Sequence, residues 1–155
     1  FMIQTGDSTT RHAKPGREVG DYDLDYTLAP EIVFPKYFHK RGALAAAREG
    51  DKVNPERRSS AAQFYIVYGY TFGPKGLDKV QARLDSTTRG QVQLTPEIRQ
   101  YYMEHGGTPH LDGQYTVFGE VVKGMDVVRD IDFVATDDHD RPTDDVRIVK
   151  AVVIE

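Results

Sequence analysis

The sequence contains no cysteine, which excludes disulfide bonds, thiolate catalysis and zinc sites built on cysteine. It has no apolar run near the ~20 residues that cross a membrane as a helix, so no membrane span is expected. Basic residues form no block, since 20 Lys and Arg stand against 24 Asp and Glu for a net charge of −4. That balance gives no electrostatic support for binding nucleic acid. The absence of cysteine leaves the cytoplasm and a periplasm or cell envelope both open as the compartment.

The common catalytic and cofactor motifs are also missing. The five histidines, at positions 12, 39, 105, 110 and 139, show no metal-ligand spacing, and no Gly-x-Ser-x-Gly turn or Gly-rich phosphate loop is present. The acidic stretch at 137–145 lacks the ligand spacing and the glycine of a calcium loop, so it predicts a solvated turn. We therefore expect no metal and no cofactor. A hydrolase that pairs His39, His110 or His139 with an aspartate is disfavoured because no nucleophile accompanies it.

Length and composition predict one folded domain over residues 1–155. The chain has 155 residues, of which 39% are hydrophobic and 28% are charged, and a chain of this length normally buries one core. Strands are predicted at 1–4, 43–47, 63–67, 115–122 and 146–154, where Val, Ile, Phe and Tyr lie between Gly, Asp and Pro. A short amphipathic helix follows Gly124, with Met125, Val128 and Ile131 on one face. Strands spread along the chain favour a mostly-β barrel or sandwich.

Residues 72–108 depart from this pattern and predict a helical insertion between two strands. Leu77, Val80 and Leu84 share one helical face. A second helix is expected to begin with Thr95 as its cap and Pro96 in its first turn, and the Gly pair at 106–107 ends it. Two interpretations are open: the insertion packs against the rest of the fold as a decoration, or it acts as a lid or specificity element.

Four segments, in this order and spacing, resemble the cyclophilin family of peptidyl-prolyl cis-trans isomerases. They are FMIQTGD at the start, KRGALAAARE at 40–49, RSSAAQFYI at 58–66 and HLDGQYTVFGEVVKGMDVV at 110–128. The resemblance covers about residues 1–68 and 109–155 and leaves the helical insertion outside. It implies a mostly-β fold, a closed eight-stranded barrel capped by helices, with the substrate groove on the outer face of the barrel.

The resemblance also bears on the start of the chain. The family carries its catalytic Arg a few residues before the strand that matches Phe1–Gln4, so this Arg and the preceding strands are expected upstream of Phe1. A barrel without those strands would have an open edge through which the chain could associate with itself. The chain of 155 residues is therefore expected to be a poor isomerase compared with a longer protein that carries the Arg.

The family resemblance assigns the site residues position by position. Phe1, Met2, Tyr65 and Leu111 would line an apolar proline pocket, and Gln4 would act in catalysis through an amide hydrogen bond near the rotating carbonyl. The other substrate-binding residues would be Ala47, Arg48, Gln63, His110 and Tyr115. Ala47 and Arg48 fall on the groove strand, and Gln63 matches the groove glutamine.

Several of these residues depart from the family pattern. Thr5 replaces a small residue, and Tyr65 replaces Phe, which adds a hydroxyl that needs a partner or water. Arg48 is a bacterial-type variation that changes the charge beside the substrate. His110 stands where many relatives have Trp, so weak inhibition by the cyclosporin class is expected, and Tyr115 stands where many have His.

The function implied by the resemblance is a bacterial-type isomerase of X–Pro bonds in unfolded or flexible protein chains. The X–Pro bond has a rotation barrier near ~18–20 kcal/mol because of its partial double-bond character. A pocket that holds the proline ring while the acyl side twists needs no covalent step. The alternative is a non-catalytic module that binds Pro-containing peptides, and in both cases the partners are Pro-containing polypeptides.

Overall fold

The structure, a computed structural model, describes residues 1–154 and contains six short strands and three helices. The strands are β1 (Met2–Thr5), β2 (Thr27–Leu28), β3 (Ala43–Ala46), β4 (Ser59–Ser60), β5 (Phe64–Val67) and β6 (Val117–Glu120). The helices are α1 (Pro74–Thr88), α2 (Pro96–Glu104) and α3 (Met125–Asp132). Single 3₁₀ turns lie at Ser8–His12 and Pro109–Leu111.

The central element is an antiparallel sheet with the order β1-β5-β3-β6. Because side chains alternate along a strand, Ala43, Ala45, Tyr65 and Val67 point to one face, where they form a buried cluster. Leu44 and Ile66 alternate with them and are only partly buried. The buried face is the side of the sheet on which the candidate site lies.

Helices α1 and α2 bury a second apolar cluster, which contains Leu77, Leu84, Ile98 and Tyr102 together with Val92 and Leu94. The predicted start of α2 is confirmed, because Pro96 occupies its first turn and the Thr95 hydroxyl accepts a hydrogen bond from the Ile98 N–H at 3.3 Å. Pro74 likewise lies in the first turn of α1. The predicted helix after Gly124 is also confirmed as α3. That residues 72–108 are an insertion relative to the family stays a prediction.

The end of α2 approaches the sheet region closely at Gly107. Gly107 has a φ of +146°, which favours glycine. A Cβ at this position would lie 2.3 Å from the carbonyl oxygen of His39, so a side chain does not fit. The next residue, Thr108, donates its N–H to the same carbonyl at 2.9 Å. This close approach places His39 between the two buried clusters.

Two predictions about the fold are corrected by the structure. The fold is mixed rather than mostly β, because the three helices contain more residues than the six strands. Within residues 1–154 the strands form one four-stranded and one two-stranded sheet, and the closed eight-stranded barrel stays a prediction. Residues 146–154 are not a strand, since this segment pairs with none of the described strands. Val149 and Val153 in this segment are 95% and 94% exposed, so its alternating apolar side chains do not form a buried face.

The described helices include none that is both long and apolar enough to cross a membrane. Across residues 1–154, no group of three or more His, Asp or Glu side chains is arranged to hold a metal ion. At 137–145 the chain turns, with the Asp137 carboxylate accepting hydrogen bonds from the backbone N–H groups of His139 and Arg141.

Candidate active site

A pocket of about 110 Å³ opens on the buried-cluster side of the sheet. Seven of the ten residues that the sequence assigned to substrate line it: Met2, Gln4, Ala47, Arg48, Tyr65, Leu111 and Tyr115. The strand register explains part of this arrangement. Gln4 lies directly across from Tyr65 on the paired strands β1 and β5, and Met2 shares a face with Gln4 because side chains repeat every second residue.

Tyr65 forms the floor of the pocket and is only 2% exposed. Its ring meets the ring of Tyr115 edge to face at 5.9 Å and lies nearly parallel to the imidazole of His39 at 6.0 Å. The Tyr65 hydroxyl oxygen lies 2.9 Å from Nε2 of His39. Burial, with smaller contributions from Tyr115 and Asp112, raises the pKa of Tyr65, so its hydroxyl stays protonated and donates.

The partner that the Tyr65 hydroxyl requires is therefore His39, which in turn is held by Asp112. One oxygen of the Asp112 carboxyl accepts the His39 backbone N–H at 2.8 Å and lies 3.0 Å from the His39 Nδ1. Its other oxygen accepts the Tyr102 hydroxyl at 2.7 Å. His39 and Asp112 are 1% and 0% exposed. In the neutral imidazole, Nδ1–H donates to Asp112, which leaves Nε2 to accept from Tyr65.

Gln4 is oriented at the rim by a second glutamine. The Gln4 amide donates from Nε2 to Oε1 of Gln63 at 2.8 Å. Gln63 in turn donates from its own Nε2 to the carbonyls of Gly20 and Tyr22, both at 2.8 Å. Those two carbonyls fix which end of the Gln63 amide points to Gln4. Gln63 lies outside the pocket lining, and its substrate-binding role stays a prediction.

Arg48 forms one wall of the pocket as a restrained cation. Its guanidinium lies 4.5 Å from the centre of the Tyr115 ring, and it donates to the carbonyls of Gln114 and Glu49, both at 2.8 Å. Asp51 pairs with it at 2.7 Å. The side chain of Arg48 is 4% exposed, so its charge is largely committed to protein partners.

Phe1 and His110 lie beside the pocket and are not part of its lining. Their rings contact each other edge to face at 5.8 Å. Burial, together with the charge of Arg83, lowers the pKa of His110 to about 4. His110 is therefore neutral near pH 7, and the substrate-binding roles assigned to it and to Phe1 stay predictions.

Three residues around the pocket were missed by the sequence reasoning: His39, Tyr102 and Asp112. His39 was considered only as a hydrolase candidate, and no spacing signal connects it with Tyr65, 26 residues away, or with Asp112, 73 residues away. A larger concavity of about 230 Å³ was also missed. Phe64, Ala46, Phe118 and Leu28 line it, and Phe64 and Ala46 alternate along their strands with Tyr65 and Ala45.

Comparison with known proteins gives a family match over almost the whole chain. The family model described as cyclophilin type peptidyl-prolyl cis-trans isomerase/CLD matches residues 1–153. Peptidyl-prolyl cis-trans isomerase CYP18-2 of Arabidopsis thaliana is 33% identical over 162 residues, which cover 92% of this chain and 99% of that protein. Peptidyl-prolyl cis-trans isomerase ppi1 of Schizosaccharomyces pombe is 32% identical over 135 residues, which cover 83% of this chain and 81% of that protein.

Other similar proteins match over a shorter span. Peptidyl-prolyl cis-trans isomerase-like 1 of Neurospora crassa is 39% identical over 88 residues, covering 54% of each chain. The chain thus spans about half the length of this and several other curated relatives that it matches. The relatives named here come from fungi and a plant, and the bacterial-type assignment made from Arg48 stays a prediction.

Proposed function

Because the chain belongs to the cyclophilin-type peptidyl-prolyl cis-trans isomerase family, we propose that it accelerates rotation about X–Pro bonds in unfolded or flexible protein chains. The observation that carries this proposal is the convergence of Met2, Tyr65 and Leu111 on one pocket with the Gln4 amide at its rim. The apolar side chains offer contact to a proline ring, and the amide offers a hydrogen bond to the adjoining peptide group.

The chemistry asked of such a pocket is modest. Uncatalysed X–Pro isomerisation takes tens to hundreds of seconds, and a ~10⁵-fold acceleration requires the barrier to fall by about 7 kcal/mol. Groups already held in place lower a barrier more effectively than groups that must reorganise. The restraint of Gln4 by Gln63 and of Tyr65 by His39 supports this kind of catalysis. A catalytic Arg upstream of Phe1 stays a prediction from the family resemblance.

Exchange NMR on a short Ala-Pro peptide tests the proposal. We expect the protein to increase the cis-trans exchange rate and Leu111→Ala to reduce this effect about tenfold, since truncation removes apolar contact from the pocket. Val122→Ala is the matched control because Val122 is 92% exposed and outside the lining. No increase in the exchange rate would reject the enzyme function.

One observation favours the alternative of a binding module for Pro-containing peptides. Among the described residues that line the pocket, the cation is Arg48, and Gln114, Glu49 and Asp51 already engage its guanidinium. In the same NMR experiment, peptide-induced shifts at Met2 and Tyr65 without faster exchange would identify the binding module.

We further propose that the four-stranded sheet is part of an eight-stranded barrel and that its open edges close by self-association. Strands β1 and β6 are the sheet edges, and unpaired edges pair readily with other strands. Phe118 on β6 is 56% exposed. Most apolar side chains of residues 146–154 are exposed to a similar or greater degree. These features support burial of this apolar surface by further strands.

Sedimentation velocity and amide exchange test this second proposal. We expect the sedimentation coefficient of the 155-residue chain to rise with concentration and the combined change Val149→Lys and Val153→Lys to suppress the rise. In a closed barrel, the edge amides of β1 and β6 are protected from exchange. A concentration-independent monomer with rapidly exchanging edge amides would contradict both self-association and closure.

A further inference from the structure

Four buried side chains form a continuous hydrogen-bond network from helix α2 to the pocket floor. In order, they are Tyr102, Asp112, His39 and Tyr65, and we refer to them as the buried network. Consecutive members are joined by side-chain contacts of 2.7, 3.0 and 2.9 Å. None of the four is more than 2% exposed. The network crosses from the apolar cluster of the helices, which contains Tyr102, to the cluster of the sheet, which contains Tyr65.

The network has one consistent set of donors and acceptors. Burial raises the pKa of Tyr102, with Asp112 adding to the effect, so the Tyr102 hydroxyl is a donor to Asp112. His39 donates to Asp112 from its backbone and from Nδ1, and Nε2 then accepts the Tyr65 proton. Since a buried polar group without a partner is costly, displacing any member leaves its neighbour unsatisfied. The end of the Tyr65 side chain is thereby fixed.

We propose that Tyr102, Asp112 and His39 are positioning residues for Tyr65, so that helix α2 determines how firmly the pocket floor is held against the substrate. This inference rests on the proposed isomerase function. Residues 72–108 then have a specificity role and are not a mere decoration of the fold. They exert this role from beneath the pocket and not as a lid above it.

A double-mutant cycle between Tyr102→Phe and Tyr65→Phe tests the proposal in the isomerase assay. Both changes remove a hydroxyl and keep the ring. We expect Tyr102→Phe to raise KM for an Ala-Pro peptide about 3- to 10-fold, the range expected for one lost hydrogen bond, with a smaller change in kcat. In the Tyr65→Phe background, the network no longer reaches the pocket, so Tyr102→Phe is expected to leave KM unchanged.

Tyr101→Phe is the matched control on the same helix. The Tyr101 ring packs against Phe38 and His105, and its hydroxyl is not a member of the network, so KM is expected to stay at the wild-type value. An equal rise in KM for Tyr102→Phe in both backgrounds, or no rise in either, would overturn the proposal. A purely structural role for Tyr102 would lower stability in both backgrounds without this dependence on Tyr65.

A second measurement does not depend on catalysis. Met2 lines the pocket with Tyr65 and packs against the buried cluster that contains Tyr65, so the NMR shift of its methyl group reports the position of the Tyr65 ring. We expect Tyr102→Phe to move this signal in the Tyr65 protein and not in Tyr65→Phe, with the Met125 methyl as internal reference. An unmoved Met2 signal in Tyr102→Phe would reject the inference even if isomerase activity is found.

The His39 ring nitrogens provide a check on the unmodified protein. Their ¹⁵N shifts are expected to show a proton on Nδ1 and none on Nε2. A proton on Nε2 alone would reverse the donor order and overturn the network. If the wild-type protein shows no isomerase activity, the proposed function is wrong. The Met2 methyl shift and the His39 ¹⁵N shifts would still decide whether the buried network positions Tyr65.

Discussion

Nε2 of His39 and the hydroxyl oxygen of Tyr65 lie 2.9 Å apart, and both side chains are almost fully buried. The phenol that forms the pocket floor thus has a fixed hydrogen-bond acceptor behind it. The ring packs edge to face with Tyr115 and lines the pocket. This relationship makes Tyr65 different from a phenylalanine in the same place.

Replacement of Tyr65 by Phe is expected to lower the free energy of unfolding by about 1–3 kcal/mol. The ring volume is kept, but Nε2 of His39 loses its partner in a buried environment. Urea unfolding followed by circular dichroism measures the change. Tyr101→Phe should differ from the wild type by less than about 0.5 kcal/mol, and equal losses in the two variants would contradict the role of the His39 contact.

Asp112→Ala is expected to cost about 3 kcal/mol or more, because the change leaves three buried donors without an acceptor. These donors are the His39 backbone N–H, the His39 ring and the Tyr102 hydroxyl. Asp130→Ala is the control, since Asp130 pairs with Arg129 on the exposed side of α3 and should cost less than about 1 kcal/mol. Equal unfolding midpoints for the two variants in urea would show that the Asp112 contacts contribute little.

Gln4→Ala is expected to reduce kcat/KM for an Ala-Pro peptide about 10²-fold, as removal of one preorganised hydrogen-bonding group typically does. Gln93→Ala is a suitable control because Gln93 lies between α1 and α2 and donates to Asp85. Exchange NMR measures both rates. Unchanged kcat/KM in Gln4→Ala, with the fold intact by circular dichroism, would remove Gln4 from the mechanism.

His110 is expected to make stability depend on pH. Burial, followed by the charge of Arg83, lowers its pKa in the folded state from 6.5 to about 4. As the pH falls from about 6.5 to about 4, the unfolded chain binds a proton that the folded chain does not bind, so the free energy of unfolding falls. His110→Gln should reduce this slope in urea unfolding measured across that range. The exposed His105 gives the control His105→Gln, and an equal slope in wild type and His110→Gln would contradict the shift.

The part of the fold that the sequence predicted depends on local patterns. The Phe, Tyr, Ile and Val content of 63–67 and the Thr95-Pro96 cap each lie within a few residues, and both led to correct elements at β5 and α2. Residues 146–154 are similarly rich in Val and Ile, but a strand also needs a partner, and the sequence does not state whether one is present. The described structure gives this segment no partner strand.

Local sequence patterns likewise predicted one part of the candidate site and not the other. Gln4 and Tyr65 lie in short motifs, and the strand register brings them opposite each other. Asp112 is adjacent to a predicted site residue, yet its partners His39 and Tyr102 belong to other segments whose approach requires Gly107. Contacts of this kind depend on tertiary packing, so single-sequence patterns carried no signal for the buried network.

The central claim, that the pocket of Met2, Tyr65 and Leu111 binds the proline and accelerates its isomerisation, is tested most directly by exchange NMR with an Ala-Pro peptide and labelled protein. We expect faster cis-trans exchange together with peptide-induced shifts at Met2, Tyr65 and Leu111, and unchanged signals at Leu28 and Phe118 in the opposite concavity. Faster exchange with shifts confined to Leu28 and Phe118, or no effect on exchange and no shifts in the pocket, would contradict it.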